Sequence, residues 1–311
     1  MNELAPPPPY RLNAAFAATV VALAGLQLFV LPLALLSHAP LWAGVLMLLI
    51  SLATPFNTAV LHEAIHGRIA RRAAWNDRVG RALGICAGVS LDVVRFGHLA
   101  HHRSNRHALD RPDVIEPGQS PISAGIKYYA HLFGGLYFGE ILASVAMLLP
   151  RSAIDVLLKR AMAKDEPEIV RMQVAARRVL DRRFARVRLD AMIAILLYAS
   201  AFYLYGAWWP LLLAGIVMRG FIVSLQDNAP HYGTPAIIGA TAHNTIAPRW
   251  MAVFMLNQNL HAVHHDRPEL HWNALPGAVG KSAMRTSGPY LALLLRQFRG
   301  PRRSNPAIAA E

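Results

Sequence analysis

Three long stretches of the chain carry no charged side chain. None lies between Arg11 and His38, none in residues 39–61 before His62, and none between Asp190 and Arg219. A helix needs about 20 apolar residues to cross a bilayer. The pattern therefore predicts an all-α integral membrane protein, with helices at 12–37 and 41–61. The tight turn 38-HAP-40 joins them, and Pro55 is placed to kink the second. Residues 191–226 exceed one crossing, and 206-GAWWP-210 breaks them. Trp208 and Trp209 suit a membrane–water interface, and Pro210 can begin a helix. A third helix is expected at 190–207 and a fourth at 210–227. Arg219 then either reaches toward the cytoplasm or pairs within the bundle.

Elsewhere the pattern is mixed. Residues 80–95 form a short amphipathic stretch, and 106–118 form a polar, proline-punctuated loop. Residues 122–149 are apolar but interrupted by Lys127, 134-GG-135 and Glu140, which predicts an interfacial or re-entrant segment. In 168–189, Ile169, Met172, Ala176, Leu180, Phe184 and Val187 recur at helical spacing among arginines. This fits a basic amphipathic helix on the membrane surface, or equally one packed on the rest of the protein. A further helix is expected from about 248. Residues 1–11, with 6-PPPP-9, read as an extended lead-in, and 300–311 as a disordered polar tail. The 311 residues then make one domain: four membrane helices (2+2) under a cap formed by 62–189 and 228–299.

Charge sets the orientation. The net charge is +13, from 31 basic and 18 acidic residues. The basic residues concentrate between apolar runs, with nine Arg in 67–120 and eleven Lys/Arg in 151–189. The positive-inside rule explains them, so nucleic acid is not an expected partner. Both termini and both basic loops are placed in the cytoplasm, and the membrane is expected to be a bacterial inner membrane. The first run lacks a basic n-region and exceeds an h-region of about 7–15 residues, so it does not read as a signal peptide. Cys86 is the sole cysteine. It excludes an intramolecular disulfide and an iron–sulfur cluster held by four cysteines of this chain.

Eight of the fourteen histidines fall in three clusters: 62-HEAIH-66, 98-HLAHH-102 and 261-HAVHH-265. Spacings of three and four place the rings on one helix face. Imidazole suits Fe, Zn, Cu and Ni. Eight imidazoles are too many for one tetrahedral zinc, and they suit two metal ions of higher coordination number. The clusters can share metals only from one side of the membrane. Two crossings precede the first two clusters and two more precede the third, so all three reach the cytoplasmic face.

His62/His66 as HxxxH, His98/His101/His102 as HxxHH and His261/His264/His265 as HxxHH resemble the membrane fatty acid desaturase superfamily. So do the surrounding 62-HEAIHG-67, 110-DRPD-113 and 259-NLHAVHHDRPELHW-272. The resemblance covers roughly residues 40–275. It implies a non-haem di-iron centre that uses O2 and two external electrons on a lipidic substrate. It also implies a ninth ligand between the last crossing and the third box, where His231 stands, and Asn228 as a partner for a metal-bound water. Carboxylates that orient ligand rings are expected among Glu63, Asp110, Asp113 and Asp266, with His271 as a further candidate. His107 is weighed as a loop histidine, and His38, His131 and His243 are left out. No haem-binding cytochrome module is visible, so a ferredoxin or cytochrome must supply the electrons. The acyl group would arrive on an acyl carrier, on coenzyme A or in a membrane lipid.

The expected reaction is desaturation of an acyl chain. The alternative is a lipid or carotenoid hydroxylase or ketolase, because the same boxes serve both outcomes. 62-HEAIH-66 also matches the zinc protease motif H-E-x-x-H, which leaves six cluster histidines unexplained. A metal transporter or sensor would be expected to place ligands along a path within the membrane.

Overall fold

The computed structural model describes residues 6–162, 166–239, 242–279 and 286–303. The chain is mostly helical. Helix α1 (Tyr10–Gly25) runs into a π-helical segment, Leu26–Leu35, that contains Pro32. Proline cannot donate a backbone hydrogen bond, and the wider turn absorbs its ring. After the turn at His38 come α2 (Pro40–Leu52) and α3 (Thr54–Ile65), bent 42° to one another. Pro55, in the first turn of α3, marks the bend.

Helices α4 (Ala73–Cys86) and α5 (Leu91–Ser104) meet at 99°. Their corner lodges among apolar helices. Tyr198 Oη donates to the Cys86 carbonyl and Tyr137 Oη to the Ala87 carbonyl, each at 2.7 Å. Arg219 joins the same corner, donating to Gln27 Oε1 and, at 2.7 Å, to Tyr198 Oη. Irregular backbone between apolar helices is tolerated where protein groups satisfy it. Arg219 therefore pairs within the bundle.

Next, a two-residue strand β1 (Val114–Ile115) precedes α6 (Pro121–Ala130) and α7 (Leu136–Ala146). The break between them includes Gly134 at φ 119°. At 10 and 11 residues each, neither helix reaches the length of a crossing. The interruption expected in 122–149 falls at this break. Helix α8 (Arg151–Ala161) leads to α9 (Pro167–Tyr205), then a 3-10 turn, Gly206–Trp208, and α10 (Trp209–Asn228).

Of the two readings of 168–189, helix α9 matches the helix packed on the rest of the protein. It is one helix of 39 residues, roughly 60 Å long at 1.5 Å per residue. The basic half continues the axis of the apolar half. It is bolted to the α4–α5 pair: Arg186 forks onto Asp92 at 2.6 and 2.7 Å and reaches Asp77 at 2.8 Å. Arg81 meets the buried Asp190 at 2.6 Å. The Tyr198–Arg219 bond shows α10 folding back along α9 after Gly206. The third and fourth helices thus end and begin at Tyr205 and Trp209, within two residues of expectation.

Two helical stretches, Tyr10–Leu35 and Pro167–Asn228, are long and apolar enough to cross a membrane, or up to four if each bent pair counts as one span. Their core packs Leu28, Leu31, Met47, Ala201 and Leu212 together. A Cβ at Gly215 would collide with Met47 Sδ, so glycine there lets α10 approach α2. Leu33, Leu41, Leu49, Leu196 and Tyr203 are exposed on the outside, as a lipid-facing belt requires.

Beyond α10, strand β2 (Asn244–Ile246) precedes α11 (Arg249–Phe254) and α12 (His261–Asp266). The single helix expected from 248 is two short ones. Leu256 and Asn257 take positive φ, 49° and 57°, between them, and Asn tolerates that region better than most residues. Helix α13 (Leu275–Ala278), β3 (Thr286–Pro289), α14 (Tyr290–Arg296) and β4 (Arg302–Arg303) complete the order. Strand β2 pairs with β3 and β1 with β4, both parallel. The expected all-α fold thus carries two small strand pairs. The expected tail is also corrected at its start, since Arg302–Arg303 pair with Val114–Ile115. Residues 304–311 and 1–5 lie outside the described residues. In the lead-in, the Pro7 carbonyl accepts a bond from Asn273 at 3.1 Å.

Candidate metal centre

The clusters sit on short helical segments that converge at one end of the bundle. His62 lies in the last turn of α3 and His66 caps it. His98, His101 and His102 are in α5, and His261, His264 and His265 are in α12. His231 follows the end of α10, where its N–H bonds the Asn228 carbonyl at 3.1 Å.

The nine rings divide into two groups. His62, His66, His98, His102 and His264 form one; His101, His231, His261 and His265 form the other, with ligand atoms in each group within 4.8 Å of one another. Helical geometry explains the division. The i, i+4 pair His98/His102 serves the first group, and the i, i+4 pair His261/His265 serves the second. The odd member of each cluster, His101 or His264, is rotated about 100° from its neighbour and reaches the other group. His102 stacks on His265 with ring centroids 4.2 Å apart, so the groups are adjacent.

Within the groups Nε2 atoms approach at metal-site spacing. His66–His98 is 2.9 Å, and His98–His102 and His102–His264 are 3.0 Å. His101–His231 is 3.1 Å, and His101–His265 and His261–His265 are 3.2 Å. Two nitrogens about 2.1 Å from a common ion and at right angles are about 3.0 Å apart. His62 Nε2 is buried without a hydrogen-bond partner. Burial holds His102 at about 3 and drives His261, His264 and His265 well below the ordinary imidazole value, helped by neighbouring rings. These rings are neutral at pH 7, the form that ligates a metal. The donor set fits two transition-metal ions, and a group of five exceeds a tetrahedral site.

Of the candidate orienting groups, Asp110 holds a ring: its Oδ2 accepts from His101 Nδ1–H at 2.7 Å. Burial would lower His101, but this bond and charge prevail and raise it. The others sit elsewhere. Glu63 is buried beside Trp272 and lies 3.9 Å from His271 Nδ1, while His271 packs edge-on against Tyr10. Asp113 accepts from Arg106 at 2.6 and 3.3 Å and from the Gly233 N–H at 2.8 Å, bracing the loop after His231. Asn228 donates to Gln297 Oε1 at 2.7 Å, and Asp266 is exposed. Neither Glu63 nor Asp266 contributes a ligand atom to either metal group.

Gln258 was not foreseen. Its amide nitrogen lies 3.0 Å from His62 Nδ1. Amide nitrogen and oxygen exchange by a flip, and the flipped amide accepts from Nδ1–H, leaving Nε2 to ligate. His107 bonds Glu166 at 3.0 Å, as a loop histidine. His38 is exposed in the turn between α1 and α2. His131 begins the broken segment between α6 and α7.

His62, His98 and His261 line a cavity together with Leu61, Val94 and Leu136. A second cavity, reaching Ala24, Ile50 and Arg219, meets it across Thr58, Leu61, Glu140 and Val223, which line both. The two cavities share these walls, and the second lies within the helical bundle.

No match is found among curated proteins. The model of the family described as Fatty acid desaturase matches residues 39–290, a stretch that contains all nine histidines. With most of its length so matched, this chain belongs to the fatty acid desaturase family, whose members are oxidoreductases of the membrane desaturase and hydroxylase type.

Proposed function

We propose that this chain is an O2-dependent fatty acyl desaturase that crosses the membrane four times and holds two iron ions through its nine histidines at the cytoplasmic face. The division of the imidazoles into adjacent groups of five and four, opening on an apolar cavity, carries this reading. Bound iron would supply the reduction of O2 and the oxidising strength that breaks an unactivated C–H bond. The overall change removes two vicinal hydrogens. One O2, two electrons and two protons are consumed, and an alkene and two waters result.

The chain's own residues position the reactants. His62, His66, His98, His102 and His264 would hold one ion, and His101, His231, His261 and His265 the other. Asp110 fixes the His101 ring with its Nε2 toward the group. Leu61, Val94, Leu136 and Val223 would bury an acyl chain beside the ligands and keep water from it. The electrons come from a separate donor, a ferredoxin or cytochrome.

The test is a lipid profile. The chain is expressed in a bacterial host with a ferredoxin reductase system, beside a His261→Ala control, and acyl products are read by gas chromatography–mass spectrometry. A product two mass units lighter, absent in the control, is expected. A product sixteen units heavier would make the chain a hydroxylase. Metal analysis should find two irons per chain and little zinc, and a single stoichiometric zinc would overturn the di-iron centre.

A further inference from the structure

His243 belongs to no histidine box, yet it stands at a junction. It lines the cavity that holds His62, His98 and His261, and with Leu293 it also lines a separate cavity of about 350 Å³. The two cavities meet across these side chains. His243 is held there by Ser287 Oγ at 2.5 Å from Nδ1 and by the Tyr232 carbonyl at 3.3 Å from Nε2.

The second cavity is cationic. Arg296, Arg299 and Arg302 line it, from α14, the turn after it and β4. Arg302 is fixed by its strand pairing, and its guanidinium lies against the loop after His231: a Cβ on Gly233 would come within 2.5 Å of Nη1. Among the described residues none of the three pairs with a carboxylate. Asp113, whose carboxylate bonds Gly233 in the cavity wall, is already taken by Arg106 and that N–H. Membrane topology accounts for basic loops in general. It does not account for three arginines lining one cavity, and arginine is the side chain whose donors match phosphate oxygens. Leu291, Leu295 and Phe298 are exposed on the same segment. Apolar and basic side chains interleaved in this way suit the level where lipid headgroups meet acyl chains.

We propose that Arg296, Arg299 and Arg302 bind the phosphate-bearing headgroup of the substrate, so that its acyl chain enters past His243 and Leu293 toward the histidine groups. This rests on the acyl reading above and adds to it that the acyl group is presented on a phosphate. The phosphate belongs either to an anionic phospholipid or to a phosphopantetheine thioester.

Binding tests the site apart from turnover. The full iron-loaded chain in a neutral maltoside micelle is titrated with palmitoyl-coenzyme A, with dipalmitoyl phosphatidylglycerol and with methyl palmitate. At least one phosphate-bearing probe should bind with an affinity that falls as salt rises, and methyl palmitate should bind more weakly. Arg296→Gln/Arg299→Gln should weaken the phosphate-bearing probe tenfold or more and leave methyl palmitate unchanged, while the double Lys variant recovers most of the affinity. These arginines are exposed, so the fold should survive, and an unchanged melting curve checks it. Preference for the thioester or for the phospholipid supports the site and identifies its source. Equal binding of all three probes, or a double Gln variant that binds as the parent does, overturns it. A chain that binds as expected but oxidises no acyl chain would overturn the desaturase reading and leave this site standing.

Discussion

Asp110 is the residue at which sequence and geometry meet most closely. Its carboxylate fixes the tautomer and direction of His101, a member of the four-histidine group. Loss of such a partner typically costs about 10–100-fold in metal affinity or activity. Asp110→Ala should therefore lose iron on dialysis and turn over about 10–100-fold more slowly, with Asp110→Asn in between because its amide oxygen still accepts. Asp266→Ala should stay within about twofold of the parent, since Asp266 is exposed. Equal losses in the two variants would remove Asp110 from the centre. The eight box histidines were legible from their helical spacing, and His231 only from the family resemblance. Gln258 was not, because it reaches His62 from 196 residues away. Asp113 and Asn228 were legible as polar residues near the boxes but not in their contacts, which Arg106 and Gln297 decide.

Among elements, the first two clusters are registered by a side chain outside both. Arg95 in α5 donates to the Ala64 carbonyl at 2.9 Å and the Ile65 carbonyl at 3.1 Å, and pairs with Asp77 at 2.9 Å. Cations favour the C-terminal end of a helix, where carbonyls lack intrahelical partners. The clamp thus ties the end of α3, with His62 and His66, to the helix of His98, His101 and His102. Arg95→Gln should destabilise the protein by about 2–3 kcal/mol, the order of charged hydrogen bonds lost from a mostly buried site. It should also lower bound iron, whereas Arg103→Gln, on the exposed face of α5, should change stability by under about 0.5 kcal/mol. Thermal melts and metal analysis check both. Hydrophobic runs made the long apolar helices legible, but not where regular hydrogen bonding stops. Composition changes near Asp190, yet no proline or glycine interrupts α9 there and the helix continues. The break at Leu256 and Asn257 carries no glycine or proline to announce it.

At the scale of the molecule, the histidine groups constrain topology more tightly than hydropathy does. Their ligands come from α3, α5, the segment after α10, and α12, so these ends share one side of any membrane the chain crosses. An even number of crossings must then separate α5 from α12. In the proposed 2+2 arrangement the fold-back of α10 along α9 supplies two, and the turn at His38 gives the same parity before α3. The direction rests on the arginines beside the boxes, and it predicts opposite exposure for two surface sites. In a Cys86→Ser background, His38→Cys and Glu269→Cys place single thiols in the α1–α2 turn and just beyond the third cluster, both exposed. A membrane-impermeant maleimide should label His38→Cys in right-side-out vesicles and Glu269→Cys only in inverted ones. Trp209→Cys, at the start of α10, should follow His38→Cys. Labelling of His38→Cys and Glu269→Cys from the same side would mean that one helical pair dips into the bilayer without crossing it. Reversed labelling of all three sites would keep the 2+2 arrangement and place the metal groups outside, where a cytoplasmic electron donor could not reach them.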